Sequence, residues 1–139
     1  MISIGIADDD ALVRQTLTDL LSKNDDIVVA WTAKDGQEAL DLFHSSEVES
    51  RVQAVLVDVQ MPKMDGLALA QALLEEKPDI AILILTTFTA DSIVDKAMAL
   101  GVRGFVAKED GASSLAGAIH QAVAGNLVLS PTSSAIIRD

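Results

Sequence analysis

Four short apolar runs in this 139-residue chain end in residues that can do chemistry. Ile2–Ala7 runs into Asp8-Asp9-Asp10, Ala54–Val57 into Asp58, Ile80–Leu85 into Thr86-Thr87, and Val102–Ala107 into Lys108. Asp58 is the most telling. No cap or turn role explains a carboxylate directly after Val55-Leu56-Val57, and a carboxylate at the end of a doubly covered strand is costly unless paired or liganded. Carboxylates packed together repel one another unless a cation is present. Mg²⁺ is the natural cation, since it takes hard oxygen ligands and keeps several waters. The chain has no cysteine, which excludes disulfides and thiolate metal sites. A metal on carboxylates, with a lysine and a hydroxyl beside it, suits a phosphoryl group. The metal and Lys108 would neutralise its charge, and Asp58 would be the nucleophile.

These residues meet only if the intervening elements bring the run ends together. The runs, with a fifth at Ile27–Trp31, are rich in Ile and Val, as central parallel strands are. Helical stripes lie between and after them. Leu12, Val13, Thr16, Leu17, Leu20 and Leu21 form one, and Ala39, Leu40, Leu42 and Phe43 a second, with Asp35 and Glu38 resembling a capping box. Leu67, Ala70, Leu73 and Leu74 form a third, stopped before Pro78, and Ile93, Val94, Ala97 and Met98 a fourth, with Gly101 as C-cap. Leu115, Ala118, Ile119, Ala122 and Val123 form the fifth, ended by Gly125. Strict alternation of strand and helix predicts an α/β, doubly wound parallel sheet with helices on both faces. Sites in such sheets lie beyond the carboxyl ends of the strands, where the strand order reverses. Residues 1–125 read as one domain. Residues 126–139, with Ser130-Pro131-Thr132-Ser133-Ser134, read as the start of a linker.

Net charge is −11, half the residues are hydrophobic and mean hydropathy is +0.35. That is a globular composition, and its charge would be repelled by phosphate backbones and anionic lipid. This segment should therefore not grip nucleic acid or membrane by itself. No run is long enough to span a bilayer, and the N-terminus lacks the basic region of a signal peptide, so a cytoplasmic setting is expected.

The combination resembles the receiver domain of bacterial two-component response regulators, from Ile2 to about Val123. The residues that carry the resemblance are Asp8-Asp9, Asp58 with Met61-Pro62 and Asp65-Gly66, Thr86, and Gly104-Phe105-Val106-Ala107-Lys108. Leu83–Phe88 and Gly125–Pro131 look like the NarL/FixJ subfamily, whose members continue into a LuxR-type helix-turn-helix domain. The resemblance implies a CheY-like five-stranded sheet, (βα)5, in the order 2-1-3-4-5. It implies that Asp58 accepts a phosphoryl group from a sensor histidine kinase. Asp9, Asp58 and the backbone carbonyl of Gln60 would hold Mg²⁺, for which Mn²⁺ can substitute, and Asp8 would share the metal or act through water. Lys108 would pair with the phosphoryl oxygens. Thr86 would swing toward them, and Phe105, at the aromatic switch position, would follow inward. Thr86 is preferred to Thr87 because it stands fifteen residues before Gly101 and twenty-two before Lys108. The resemblance further implies a homodimer on phosphorylation and DNA binding through an output domain beyond this chain. Glu109 follows Lys108, where many receivers have proline.

Taken singly, each residue has an ordinary explanation. Asp8–Asp10 would be a helix-cap cluster, with Asp10 only a cap. Lys108 would be a solvated lysine, Thr86-Thr87 strand residues, Phe105 core, and Asp65-Gly66 a turn. Their joint occurrence in order favours the receiver. His44 and His120 fall on helices away from the rim and read as structural or solvated. A stand-alone receiver acting by protein contact is one alternative. A Mg²⁺-dependent aspartyl phosphatase would need an acid/base two residues after the nucleophile, where Gln60 cannot serve. A flavodoxin-like cofactor binder would want a phosphate-cradling loop after the first strand, where three aspartates stand instead.

Throwing a switch from 1:99 to 99:1 takes about 5.5 kcal/mol. One hydrogen bond to a charged group supplies roughly 1.5–3 kcal/mol, so Thr86 cannot do it alone. Phe88 stands two residues past Thr86, at a position that the resemblance implies tunes phosphoryl lifetime, and its bulk would hinder attacking water. Replacing Phe88 with alanine should shorten the phosphoryl lifetime several-fold, timed after removal of the donor; an unchanged lifetime would refute this.

Overall fold

An Ile- and Val-rich run without polar alternation buries both faces of its strand, which requires helices above and below the sheet. The computed structural model describes residues 2–45, 52–86, 91–107 and 112–129. They form β1 (Ile2–Ala7), α1 (Ala11–Leu21), β2 (Ile27–Ala33), α2 (Gly36–Phe43), β3 (Val52–Asp58) and α3 (Gly66–Glu76). β4 (Ala81–Thr86), α4 (Asp91–Leu100), β5 (Gly104–Ala107), α5 (Ala112–Val123) and β6 (Val128–Leu129) follow. All pairings are parallel, in the order β2-β1-β3-β4-β5-β6. The expected order of five strands is borne out.

β6 is an addition to the expected sheet, inside the stretch read as the start of a linker. Gly125 (φ 100°) turns the chain after α5, and Asn126 donates to the Gln121 carbonyl at 3.0 Å. Val128 then donates to the Arg103 carbonyl at 2.8 Å. A Cβ on Gly104 would lie 2.9 Å from the Val128 carbonyl oxygen, so a glycine in β5 lets β6 close in.

The core has two layers. Buried Ala39 and Phe43 of α2, Leu69, Ala70 and Leu73 of α3 and Ala97 of α4 pack with Val55, Val57, Ile82, Ile84 and Phe105 on one face. Leu17 and Leu21 of α1 and Leu115, Ile119 and Ala122 of α5 pack with Ile4, Ile6, Leu56, Leu83 and Leu85 on the other. Each fully buried aliphatic side chain stabilises the fold by roughly 1.5–3 kcal/mol. Among the described residues no helix is long and apolar enough to cross a membrane.

Three aspartates start helices at the carboxyl rim. Asp10 accepts from Leu12 N at 2.9 Å, Asp35 from Glu38 N at 2.8 Å and Asp65 from Ala68 N at 2.8 Å. Such caps contribute about 0.5–2 kcal/mol each. The capping box expected at α2 is shifted, because Glu38 reaches back to the backbone N–H of Lys34, one residue before the cap.

The register of β1 slips against both neighbours. Ile4 pairs with Val29 and Gly5 with Trp31, leaving Ala30 unopposed, and Ser3 pairs with Val52 but Ile4 with Ala54, leaving Gln53 unopposed. The first bulge seats the Trp31 indole over Gly5. A Cβ on Gly5 would come within 2.6 Å of three ring carbons. Gly5→Ala should therefore destabilise the fold by about 1–3 kcal/mol in denaturant melts. Trp31→Leu should recover much of that loss in the double variant; strictly additive effects would refute the contact as the cause.

Candidate functional site

Parallel register decides which residues meet at the rim. Ala7 pairs with Val57, so Asp8 rises beside Asp58, the last residue of β3. Asp58 pairs with Leu85, so Thr86 lies one residue farther along β4. Thr86 pairs in turn with Ala107, which ends β5. Lys108, together with Thr87, Phe88, Glu109 and the tail from Ser130, lies outside the described residues.

Asp8, Asp9 and Asp58 each offer a carboxylate oxygen, and the three atoms lie within 4.8 Å of one another. Asp8 is 0 % exposed and Asp58 6 %, whereas Asp9 is open to solvent. Local bonds fix the shape of the β1 end. Asp8 N donates to the Ala33 carbonyl at 3.0 Å, Asp10 N donates to Asp8 Oδ1 at 2.9 Å, and Arg14 Nη1 donates to the Asp8 carbonyl at 2.7 Å. Asp10 turns its own carboxylate to α1 and acts as its cap, as read from the sequence.

Two carboxylate charges at 4.8 Å, the outer limit of the separation here, would repel by roughly 3.5 kcal/mol at an effective dielectric constant of about 20. A small divalent cation among them turns that repulsion into attraction. All three donors are hard carboxylate oxygens, and the exposed Asp9 leaves a solvent side where a metal can keep waters. The set therefore fits Mg²⁺.

Gln60 lies on the loop between β3 and α3. With Asp9, Val59, Met61, Asp65, Leu67 and Lys96 it lines an open cleft of about 600 Å³ at the rim. The loop is pinched at its base. Gly66 N donates to the Val59 carbonyl at 2.9 Å, and a Cβ on Gly66 would collide with the Asp58 carbonyl oxygen. At its tip Lys63 has φ 67°, the one non-glycine among the described residues with positive φ, and Met64 N donates to the Pro62 carbonyl at 2.7 Å. That conformation costs an L-residue about 1–3 kcal/mol, so its surroundings must hold it. Lys63 Nζ stands 3.8 Å from Asp35 Oδ2. Because the lysine is largely exposed, the pair contributes less than about 1 kcal/mol. Packing must share the task, and Met64 does press on Gly36, where a Cβ would lie 2.6 Å from the Met64 carbonyl oxygen.

Phe105 is fully buried between Ile84 and Leu129 in register, in the layer that holds α2, α3 and α4. Both histidines contact exposed carboxylates. His44 Nε2 is 2.7 Å from Glu76 Oε2, linking α2 to α3, and His120 Nε2 is 2.8 Å from Asp26 Oδ2. Sequence reasoning did not single out Arg14, Lys63 or Lys96. An exposed basic residue on a helix or loop carries no signal that separates it from ordinary surface. Asp35 was recognised as a cap, but its second partner lies on a distant loop.

A model of the response regulator receiver domain matches residues 4–120. The chain is 32 % identical over 131 residues to transcriptional regulatory protein LnrK of Bacillus subtilis, covering 94 % of this chain and 58 % of that protein. It is 35 % identical over 113 residues to a protein-glutamate methylesterase/protein-glutamine glutaminase of Methanococcoides burtonii, a match covering 80 % of this chain and 31 % of that enzyme. The crystal structure of a LuxR-family two-component response regulator from Aurantimonas sp. superposes with a TM-score of 0.86 at 25 % identity, over 98 % of this chain and 94 % of that one. The chain thus spans about three-fifths of the length of its transcriptional relative. With the family match running from β1 into α5, the chain belongs to the response regulator receiver domain family.

Proposed function

We propose that this domain is a phosphoryl-accepting switch, with Asp58 as the acceptor and a sensor histidine kinase as the donor. The observation that carries the reading is the convergence of Asp8, Asp9 and Asp58 at the carboxyl rim. A carboxylate oxygen of Asp58 attacks phosphorus as the donor's P–N bond breaks. The histidine nitrogen leaves with the electron pair, and the product is an acyl phosphate. Asp9, Asp58 and the Gln60 carbonyl would hold Mg²⁺, with Asp8 sharing it or acting through water. When bound, that metal offsets the charge of the transferring group. Lys108 would supply the second positive charge, from the residue after the end of β5.

Thr86 and Phe105 are assigned as readers of the phosphoryl group. Thr86 supplies too little energy alone, so Lys108 and a homodimer formed on phosphorylation would add to it. The likeness to LnrK supports transcription as the output, through a DNA-binding domain joined by a linker that we read as starting after β6. The likeness to a methylesterase, confined to a third of that enzyme, agrees with a receiver that carries no output chemistry itself. We place the domain in the cytoplasm, where the kinase's phosphohistidine would be met. The net charge of −11 disfavours direct contact with DNA or membrane by this segment. An aspartyl phosphatase is disfavoured because Gln60 occupies the acid/base position. A stand-alone receiver remains the second reading of output, and a full-length chain that binds no DNA when phosphorylated would favour it.

Incubation with Mg²⁺ and a small phosphodonor should add a single phosphoryl group by intact mass, absent in Asp58→Asn and without Mg²⁺. No adduct, under conditions that modify another receiver, would refute the reading. Asp9→Asn should weaken Mg²⁺ binding by about tenfold or more in a calorimetric titration. Equal affinity would remove Asp9 from the metal site.

A further inference from the structure

We propose that Asp35 and Gly36, at the start of α2, are positioning residues for the metal-binding loop. Through Lys63 and Met64 they hold the Val59–Asp65 segment, and with it Gln60, in the conformation that receives the cation. The proposal rests on the Mg²⁺-dependent reading above and extends it to an element that touches no ligand.

Three observations carry it. Asp35 uses both carboxylate oxygens: Oδ1 caps α2 through Glu38 N, while Oδ2 faces Lys63 Nζ. A cap needs only the first, and asparagine caps as well as aspartate does. Its burial, at 3 % exposure, keeps the second oxygen directed at the loop. Gly36 has no positive φ to explain it, yet a Cβ there would lie 2.6 to 2.9 Å from Met64 O, Cβ and Cγ. Contact with the loop, and not helix geometry, therefore demands a glycine. Lys63, finally, holds a left-handed φ of 67° that an L-residue keeps only when its neighbours over-determine it.

The loop is thus held twice. Its base is closed on β3 by Gly66 N–H to the Val59 carbonyl, and its tip rests on α2. Gln60 and Met61 lie between these two points, on the wall of the cleft that Asp9 also lines. Releasing the tip leaves the aspartates in place but lets the span that carries the carbonyl ligand move.

The test uses Asp35→Asn, which keeps the cap and removes the charge, and Gly36→Ala, which pushes Met64 away. Thermal unfolding of Asp35→Asn should stay close to wild type. Mg²⁺ affinity should fall about twofold to fivefold in Asp35→Asn, the scale of one exposed ion pair, and by more in Gly36→Ala, which displaces Met64 directly. In metal-free protein, the amide protons of Met64 and Gly66 should exchange several-fold faster. Lys63→Gly, which needs no support for a positive φ, should cancel most of the exchange difference between aspartate and asparagine at position 35. Unchanged affinity in both variants, or unchanged exchange in both, overturns the proposal. Wild-type protein that fails to bind Mg²⁺ instead overturns the reading of the site, and the metal-free exchange still judges the clamp.

Discussion

Two aspartates that end neighbouring parallel strands have nowhere to go but toward each other. Asp8 and Asp58 are both buried, and the β1–β3 register sets them side by side. The backbone near the rim is held by local bonds. The end of β1 is pinned by Ala33 and Arg14, and Asp10 is drawn off to cap α1. The β3–α3 loop folds back so closely that only a glycine fits at position 66. A cation bound among these carboxylates would offset their mutual repulsion, so metal affinity and fold stability would draw on the same few residues.

The sheet was legible because parallel strands buried on both faces leave an unmistakable trace: continuous apolar runs at steady spacing. The meeting of Asp8, Asp9 and Asp58 was legible for the same reason, since strand ends of a parallel sheet share a rim. β6 was not, because two residues, Val128 and Leu129, carry no period, and their neighbours Gly125 and Asn126 read as loop. The left-handed Lys63 was hidden too, since lysine is not a residue that signals positive φ. Asp35 shows a subtler limit. Its local role is written in its spacing to Glu38, but that role fully accounts for the residue and so conceals the tertiary one.

Phe105 shows how a functional assignment and a packing role can occupy one side chain. Its ring is buried among Ile82, Ile84 and Ala97, as any core aromatic would be. Any movement of that ring must open a large space in a close-packed layer, and its neighbours in that layer would have to adjust with it. Val59, Met61 and Met64 of the β3–α3 loop pack against the same layer, so that loop and the aromatic share one body of packing.

The short strand β6 sets where the polypeptide departs. α5 carries the chain back to the pole opposite Asp58, and without β6 it would leave from there. Parallel pairing with β5 sends it up the sheet once more, so that by Leu129 it is heading for the rim that holds the aspartates. At Leu129 the backbone stands level with Phe105 and, across β4, with Val57, one residue short of Asp58 in register.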